Sequence, residues 1–123
     1  MFLLDTNALL WLERRHPRAR ALARTRKRLF VSPASLLEIQ VLLEAGRIRL
    51  PGSATASVLA ESNQWLLDDP PAAAWFDHAL GLGWTRDPFD RLLVAHAQVR
   101  GWRFATGDRE LIERLGPGSS VAL

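Results

Sequence analysis

No cysteine occurs in the 123 residues, which removes disulfides, thiolate zinc sites and thiol nucleophiles together. Any metal must then be held by oxygen or imidazole. The histidines, His16, His78 and His96, show no HExxH or similar ligand spacing, so a hydrated hard cation such as Mg²⁺ or Mn²⁺ suits the chain better than zinc. His96 is expected to pack within a helix layer. No stretch approaches the roughly 18 apolar residues of a membrane span, and no repeat, low-complexity tract or linker is found. The opening MFLLDTN lacks a basic leader and breaks its apolar run with Asp5 and Asn7, so it does not read as a secretion signal. The expected location is cytoplasmic.

What is present is ordinary in amount and uneven in placement. Hydrophobic residues make up 48% and charged residues 24%, the balance of a globular chain, and the length suits one domain spanning 1–123. Net charge is +3 and nearly all the cations are arginine. Between Arg14 and Arg28 stand eight basic residues and no acid. Arginine grips phosphate through a planar fork, so this stretch suits a nucleic-acid backbone or an acidic protein partner, or else forms a solvated helix surface.

Short apolar runs alternate with helical segments, the pattern of an α/β domain with a mostly parallel sheet. Strands are expected at Phe2 to Leu4, Leu29 to Val31, Trp65 to Leu67, Arg103 to Thr106 and Ser120 to Leu123. Helices are expected at Ala8 to Glu13, Pro17 to Lys27, from Ser32-Pro33 to Ala45 with Gly46 as stop, at Ala54 to Asn63, from Pro71 to Leu80, from Asp87-Pro88 to Gly101, and at Asp108 to Leu115. Arg47 to Ser53 reads as a loop.

Four carboxylates sit where these elements would bring them to one cleft. Asp5 ends the first strand, and ligands of open α/β sheets gather beyond the carboxyl ends of strands; the same position also suits a helix N-cap. Glu38 has Ala34, Ser35, Val41 and Leu42 as its helical neighbours, too apolar a surface for a solvated acid. Glu44, beside Gln40 and Arg47, reads as an ordinary surface residue. In Asp87-Pro88-Phe89-Asp90, Asp87 is placed to cap the helix, whereas Asp90 heads an apolar line with Leu93, Val94 and Ala97. Asp108 follows a strand and opens a helix, so it can cap or join the cluster, where Thr106 would add a hydroxyl. Two carboxylates about 4 Å apart repel by roughly 4 kcal/mol at an effective dielectric near 20, a conflict that a divalent cation resolves. Arg91, Arg103 and Arg109 lie near these acids in sequence and would hold phosphates or offset the negative charge. Trp11, Trp65, Trp75, Trp84 and Trp102 are expected in the core or an interface.

Taken in order, LLDTNALLW at Leu3 to Trp11, SLLEI at Ser35 to Ile39, RDPFDRLLVAHA at Arg86 to Ala97 and ATGDREL at Ala105 to Leu111 resemble the PIN-domain family, and more narrowly its VapC-type ribonuclease toxins. The resemblance implies a three-layer α/β/α fold and metal-dependent endoribonuclease activity, with Mg²⁺ or Mn²⁺ held chiefly by Asp5 and Asp90 and the site completed by Glu38 and Asp108, partly through water. It also implies RNA as substrate, a cognate antitoxin that blocks the cleft, and a homodimer or toxin–antitoxin hetero-oligomer. The apolar helices before Gly46 and near Trp11 are where those contacts are expected. Many relatives have histidine where this chain has Asn7. Two other readings are a catalytically silent PIN-like module that binds RNA or protein, and an aspartate-dependent phosphatase of the haloacid dehalogenase type. The phosphatase would need a second aspartate two residues after Asp5, where Asn7 stands.

Overall fold

The computed structural model describes residues 1–50 and 64–123, and element labels below cover those residues. β1 (Phe2–Leu4), β2 (Leu29–Val31), β3 (Leu66–Leu67), β4 (Arg103–Thr106) and β5 (Ser120–Ala122) form one five-stranded sheet in the order β3-β2-β1-β4-β5. Every pairing is parallel, with Phe2 opposite Leu29 on one side and Arg103 on the other.

Alternation along the strands sorts the core into two layers. Leu4, Leu29, Val31 and Ala105 point to one face, where they meet α1 (Thr6–Glu13), α2 (Arg20–Arg24) and α3 (Pro33–Glu44). Leu3, Phe30 and Phe104 point to the other, packed against α4 (Ala72–Leu80), α5 (Pro88–Arg100) and α6 (Arg109–Leu115). The fold is therefore the expected three-layer α/β/α arrangement. Among the described residues no helix is long and apolar enough to cross a membrane.

Local chemistry fixes the helix ends. Ser32 Oγ accepts from the Ala34 amide at 3.2 Å and Pro33 takes the first helical position of α3. Asp87 Oδ1 accepts from the amides of Phe89 and Asp90 at 2.8 and 3.1 Å ahead of Pro88, so its capping role is met. α5 stops at Gly101, whose φ of 70° favours glycine. Glu44 is exposed and accepts from Gln40 at 3.1 Å, a surface residue as expected.

Three boundaries differ from expectation. The helix expected over Pro17 to Lys27 is a 3₁₀ turn at Pro17–Ala19 followed by the short α2. It ends because Thr25 turns extended, with ψ at 148°, and its hydroxyl takes the Lys27 amide at 3.2 Å, a local bond that competes with the helix. α1 begins at Thr6 rather than Ala8, since Asp5 caps it. β3 starts at Leu66, because Trp65 is buried in the core and donates its indole N–H to Glu13 at 2.8 Å. The helix expected at Ala54 to Asn63 lies outside the described residues.

The tryptophans serve packing. Trp65 and Trp75 are buried, Trp102 stacks on Phe30 at 4.3 Å, Trp84 lies under the Arg114 guanidinium, and Trp11 lies under that of Arg18. His96 is wholly buried among them, 5.2 Å from Trp75 between ring centres.

Candidate active site

β1 and β4 are neighbours whose following helices leave to opposite faces, α1 to one and α6 to the other. A crevice opens at such a switch between strand ends. A cleft of about 320 Å³ lies there, lined by Asp5, Thr6, Asn7, Glu38, Leu42, Arg47, Ile48, Asp90 and Asp108. All four acids singled out in the sequence thus line one cleft, brought by β1, α3, α5 and the turn after β4.

Asp5 is only 8% exposed. Its Oδ1 accepts from the Thr6 amide at 2.7 Å and its Oδ2 from the Thr106 hydroxyl at 2.6 Å, so the cap and the cleft are roles of the same residue. Burial raises its pKa; the Thr106 and Thr6 hydrogen bonds oppose that rise, and the charges of Asp108 and Asp87 add to it. Thr106 Oγ1 also accepts from the Asp108 amide at 3.1 Å, which ties the two strand ends together. Glu38 is half-buried, and burial raises its pKa against the lowering effect of the Thr6 hydroxyl, with Asp5 and Asp87 pushing the same way as burial. Thr6 in turn donates to Ser35 Oγ at 3.1 Å. Asp90, in the first turn of α5, is pushed up to about 7 by burial and by the charges of Asp87, Asp5, Glu38 and Asp108. Asp108 is exposed and caps α6, its Oδ1 accepting from Glu110 at 2.9 Å and from Leu111 at 3.3 Å. Asp87 is absent from the cleft lining but contributes its charge.

Among the described residues the lining side chains able to coordinate a metal offer oxygen, from the carboxylates, the Thr6 hydroxyl and the Asn7 amide, with no imidazole. That set fits a hard divalent cation. Among the described residues no three acids or histidines are grouped closely enough to hold one ion together; Mg²⁺ is commonly bound through one or two carboxylates with water completing its shell, which does not need three.

Arg47 is a cleft residue that sequence reasoning left in a loop. After α3 the Arg47 amide donates to Leu42 O at 2.9 Å and the Gly46 amide to Leu43 O at 3.0 Å, with Gly46 at a φ of 70°. This is a Schellman turn, and it folds the chain back over the face carrying Glu38 and Leu42. The signal was legible as Gly46 just past a helix bearing a suspected site acid. Of the three arginines named near the acids, Arg91 donates to Thr85 O at 2.7 Å and Arg103 to Pro117 O and Ser120 O at 3.0 and 2.7 Å, so both brace backbone. Arg109 is exposed at the start of α6.

The fold and the cleft define an α/β protein with a parallel sheet and a carboxylate-lined crevice at its switch point. The PIN domain profile matches residues 2–116, and the chain belongs to the PIN domain family. PIN domains are generally nucleases and typically use divalent metal ions. The fold resembles a toxin–antitoxin complex from Klebsiella pneumoniae (TM-score 0.70, 18% identity, covering 99% of this chain and 97% of that one). It also resembles VapBC2 from Rickettsia felis bound to a DNA fragment from its promoter (0.67, 15%, 98% and 97%), and FitAcB from Neisseria gonorrhoeae (0.51, 23%, 88% and 88%). The sequence has no significant match among curated proteins.

Proposed function

We propose that this PIN domain, a single unit over residues 1–123, is a metal-dependent endoribonuclease and the toxin of a type II toxin–antitoxin pair, acting in the cytoplasm. The observation that carries the reading is that, among the described residues, four acidic side chains line one cleft beside one basic residue, Arg47. Asp5 and Asp90 would hold Mg²⁺ or Mn²⁺, with Glu38 and Asp108 completing the site, partly through water. Such an ion, when bound, neutralises charge on the phosphate and acidifies water.

The chain's own residues do the rest. Thr106 and the Thr6 amide fix the Asp5 carboxylate by its two oxygens. Glu38, made more basic by burial, accepts a proton from the attacking water. Arg47, an exposed cation at the cleft, holds an RNA phosphate. Support for an antitoxin partner comes from the solved structures of similar fold, which are toxin–antitoxin complexes; a toxin homodimer within that assembly belongs to the same proposal.

The test is partner-free protein incubated with structured RNA, with Mg²⁺, with Mn²⁺ and with EDTA. Internal cleavage that needs metal and vanishes in Asp5→Asn is the expected result. RNA binding without turnover would favour a silent module, and phosphate release from small esters without RNA cleavage would favour the phosphatase.

A further inference from the structure

We infer that Trp11 and Arg18 clamp the backbone of Gly107 and thereby position the turn that carries Thr106 and Asp108. The inference rests on the reading of the acidic cleft as a nuclease site and assigns positioning residues to it.

Gly107 lies between Thr106 and Asp108, and a larger residue there would have to displace the Trp11 ring and the Arg18 guanidinium. A Cβ built there would stand 2.6 and 2.9 Å from Trp11 Cη2 and Cζ3, and 2.7 Å from Arg18 Nη2. The preference for glycine here is one of space: two side chains occupy the volume a Cβ would need. Arg18 Nη2 donates to Gly107 O at 3.4 Å and to Leu123 O at 3.0 Å, while its guanidinium lies 4.3 Å over the Trp11 ring.

The segment that delivers Arg18 is built with care. Arg15 takes a φ of 55°, a left-handed conformation uncommon for a side chain of its kind. That kink lets the His16 amide reach Trp11 O at 2.8 Å, and His16 Nδ1 then accepts from the Arg18 amide at 3.1 Å while the imidazole stacks on Trp11 at 5.7 Å. A strained residue is retained where surrounding contacts demand it, and here those contacts converge on Arg18. Beyond Gly107, the Thr106 hydroxyl donates to Asp5 Oδ2 at 2.6 Å and accepts from the Asp108 amide at 3.1 Å. Leu123 N closes the other side on Thr106 O at 3.1 Å. Pressure at Gly107 therefore reaches both strand-end acids within one residue on either side. Within the basic stretch of Arg14 to Arg28, Arg18 is exposed yet turns its guanidinium onto the backbone of its own chain.

Arg18→Lys separates positioning from RNA contact, because it keeps the charge but loses the planar fork that serves two carbonyls and the ring at once. Steady-state RNA cleavage should show kcat falling roughly tenfold, as small misplacements of reacting groups do, with KM and its salt dependence unchanged. A raised KM with a shallower salt slope would make Arg18 an RNA contact and overturn the clamp, as would an unchanged kcat. Gly107→Ala should lower kcat further, and adding Trp11→Leu to it should recover part of the loss by making room; no recovery counts against the clamp. If Gly107→Ala does not fold, Arg18→Lys decides alone. If the wild type cuts no RNA, the nuclease reading fails while the clamp is still read by NMR: Arg18→Lys must move the Thr106, Gly107 and Asp108 amides and the Trp11 indole N–H, and unmoved resonances overturn it.

Discussion

Acids stand at two places along the same carboxyl edge of the sheet and end in opposite electrostatic states. Asp68 follows β3; Asp5 follows β1, with Asp90 and Asp108 close by. Desolvation would raise the Asp68 carboxyl, yet hydrogen bonds from Arg100 and His96 outweigh it and hold it below its ordinary range. The Arg100 Nε and Nη2 atoms donate to Asp68 at 2.8 and 3.2 Å, and His96 Nε2 meets it at 2.7 Å. Burial lowers the His96 pKa more than Asp68 raises it, so the imidazole is neutral and its Nε2–H is the donor, since a carboxylate only accepts. At the cleft no described cation pairs with Asp5, Glu38 or Asp90, and all three are pushed upward. An acid answered by the chain's own cations anchors structure. Acids left to repel one another are what the proposed metal site would need, since an external cation would relieve that repulsion.

The largest expected break in this contrast comes from neutralising the cleft. Asp90→Asn or Asp5→Asn should lower metal-dependent RNA cleavage by roughly a thousandfold, since metal stabilisation of the transition state is worth several kcal/mol and each tenfold is about 1.4 kcal/mol. For Asp90→Asn, removing one of several like charges should leave the metal-free melting temperature unchanged or higher, whereas Asp5→Asn also loses an acceptor for Thr6 or Thr106 and should melt somewhat lower. Cleavage kinetics alongside thermal melts check both halves, and an Asn variant that melts well below wild type would mean the acid was structural.

Asp68→Ala should do the reverse. It strips the charged partner from a buried histidine and from Arg100, and hydrogen bonds to charged groups are worth about 1.5 to 3 kcal/mol. Denaturant unfolding should therefore show a loss of about 2 to 3 kcal/mol, while kcat per folded molecule stays at the wild-type value.

Asp68 also marks what could be read in the sequence and what could not. Strands, caps and stops were legible because their causes are local: Ser32-Pro33 and Asp87-Pro88 open helices with their own side chains, and three apolar residues before Asp5 suffice for β1. The four acids were legible because each sat at a strand end or on an apolar helix face. Asp68 carried no local sign of its role, since the partners that give it one lie 28 and 32 residues away. Arg18 stood among seven other cations, and nothing local separates one that reaches Gly107 and Leu123 from one in water. The overlong second helix is a different case, since the bond at Thr25 that accompanies its end is local, two residues in reach.

Stability against pH sharpens the comparison. A carboxyl with a folded pKa above its unfolded value favours the fold at low pH and loses that contribution as pH rises. Asp90, moved from 3.8 to about 7, should thus weaken the metal-free protein as pH climbs through that window. Asp68, held below 3.8, contributes above its ordinary value and loses that contribution only as acid titrates through its lower folded one. Melts from pH 4.5 to 8 should show the wild type losing ground to Asp90→Asn as pH rises. Mg²⁺ should restore that loss, by about 1.4 kcal/mol at ten times its dissociation constant, and more at pH 8 than at pH 5 because metal binding competes with protons. Equal Mg²⁺ gains in wild type and Asp90→Asn would place the ion elsewhere.

Arg47 supplies the smallest and most selective test, because it is the cation that the described chain does bring to the acidic cleft. Its amide is fixed by the turn after α3, but the side chain is exposed and no described acid pairs with it, in contrast to Arg100 on Asp68. If Arg47 were a counter-ion for the cluster, removing it would raise mutual repulsion and lower the melting temperature. If it serves substrate, Arg47→Ala should leave the melt unchanged and raise KM roughly fivefold, about 1 kcal/mol for one phosphate contact, with kcat retained. The salt dependence of binding should fall by about one charge, since one fewer counterion is displaced when RNA docks. A lowered melt with unaltered KM would return Arg47 to the company of Arg100, as a cation answering an acid of its own chain.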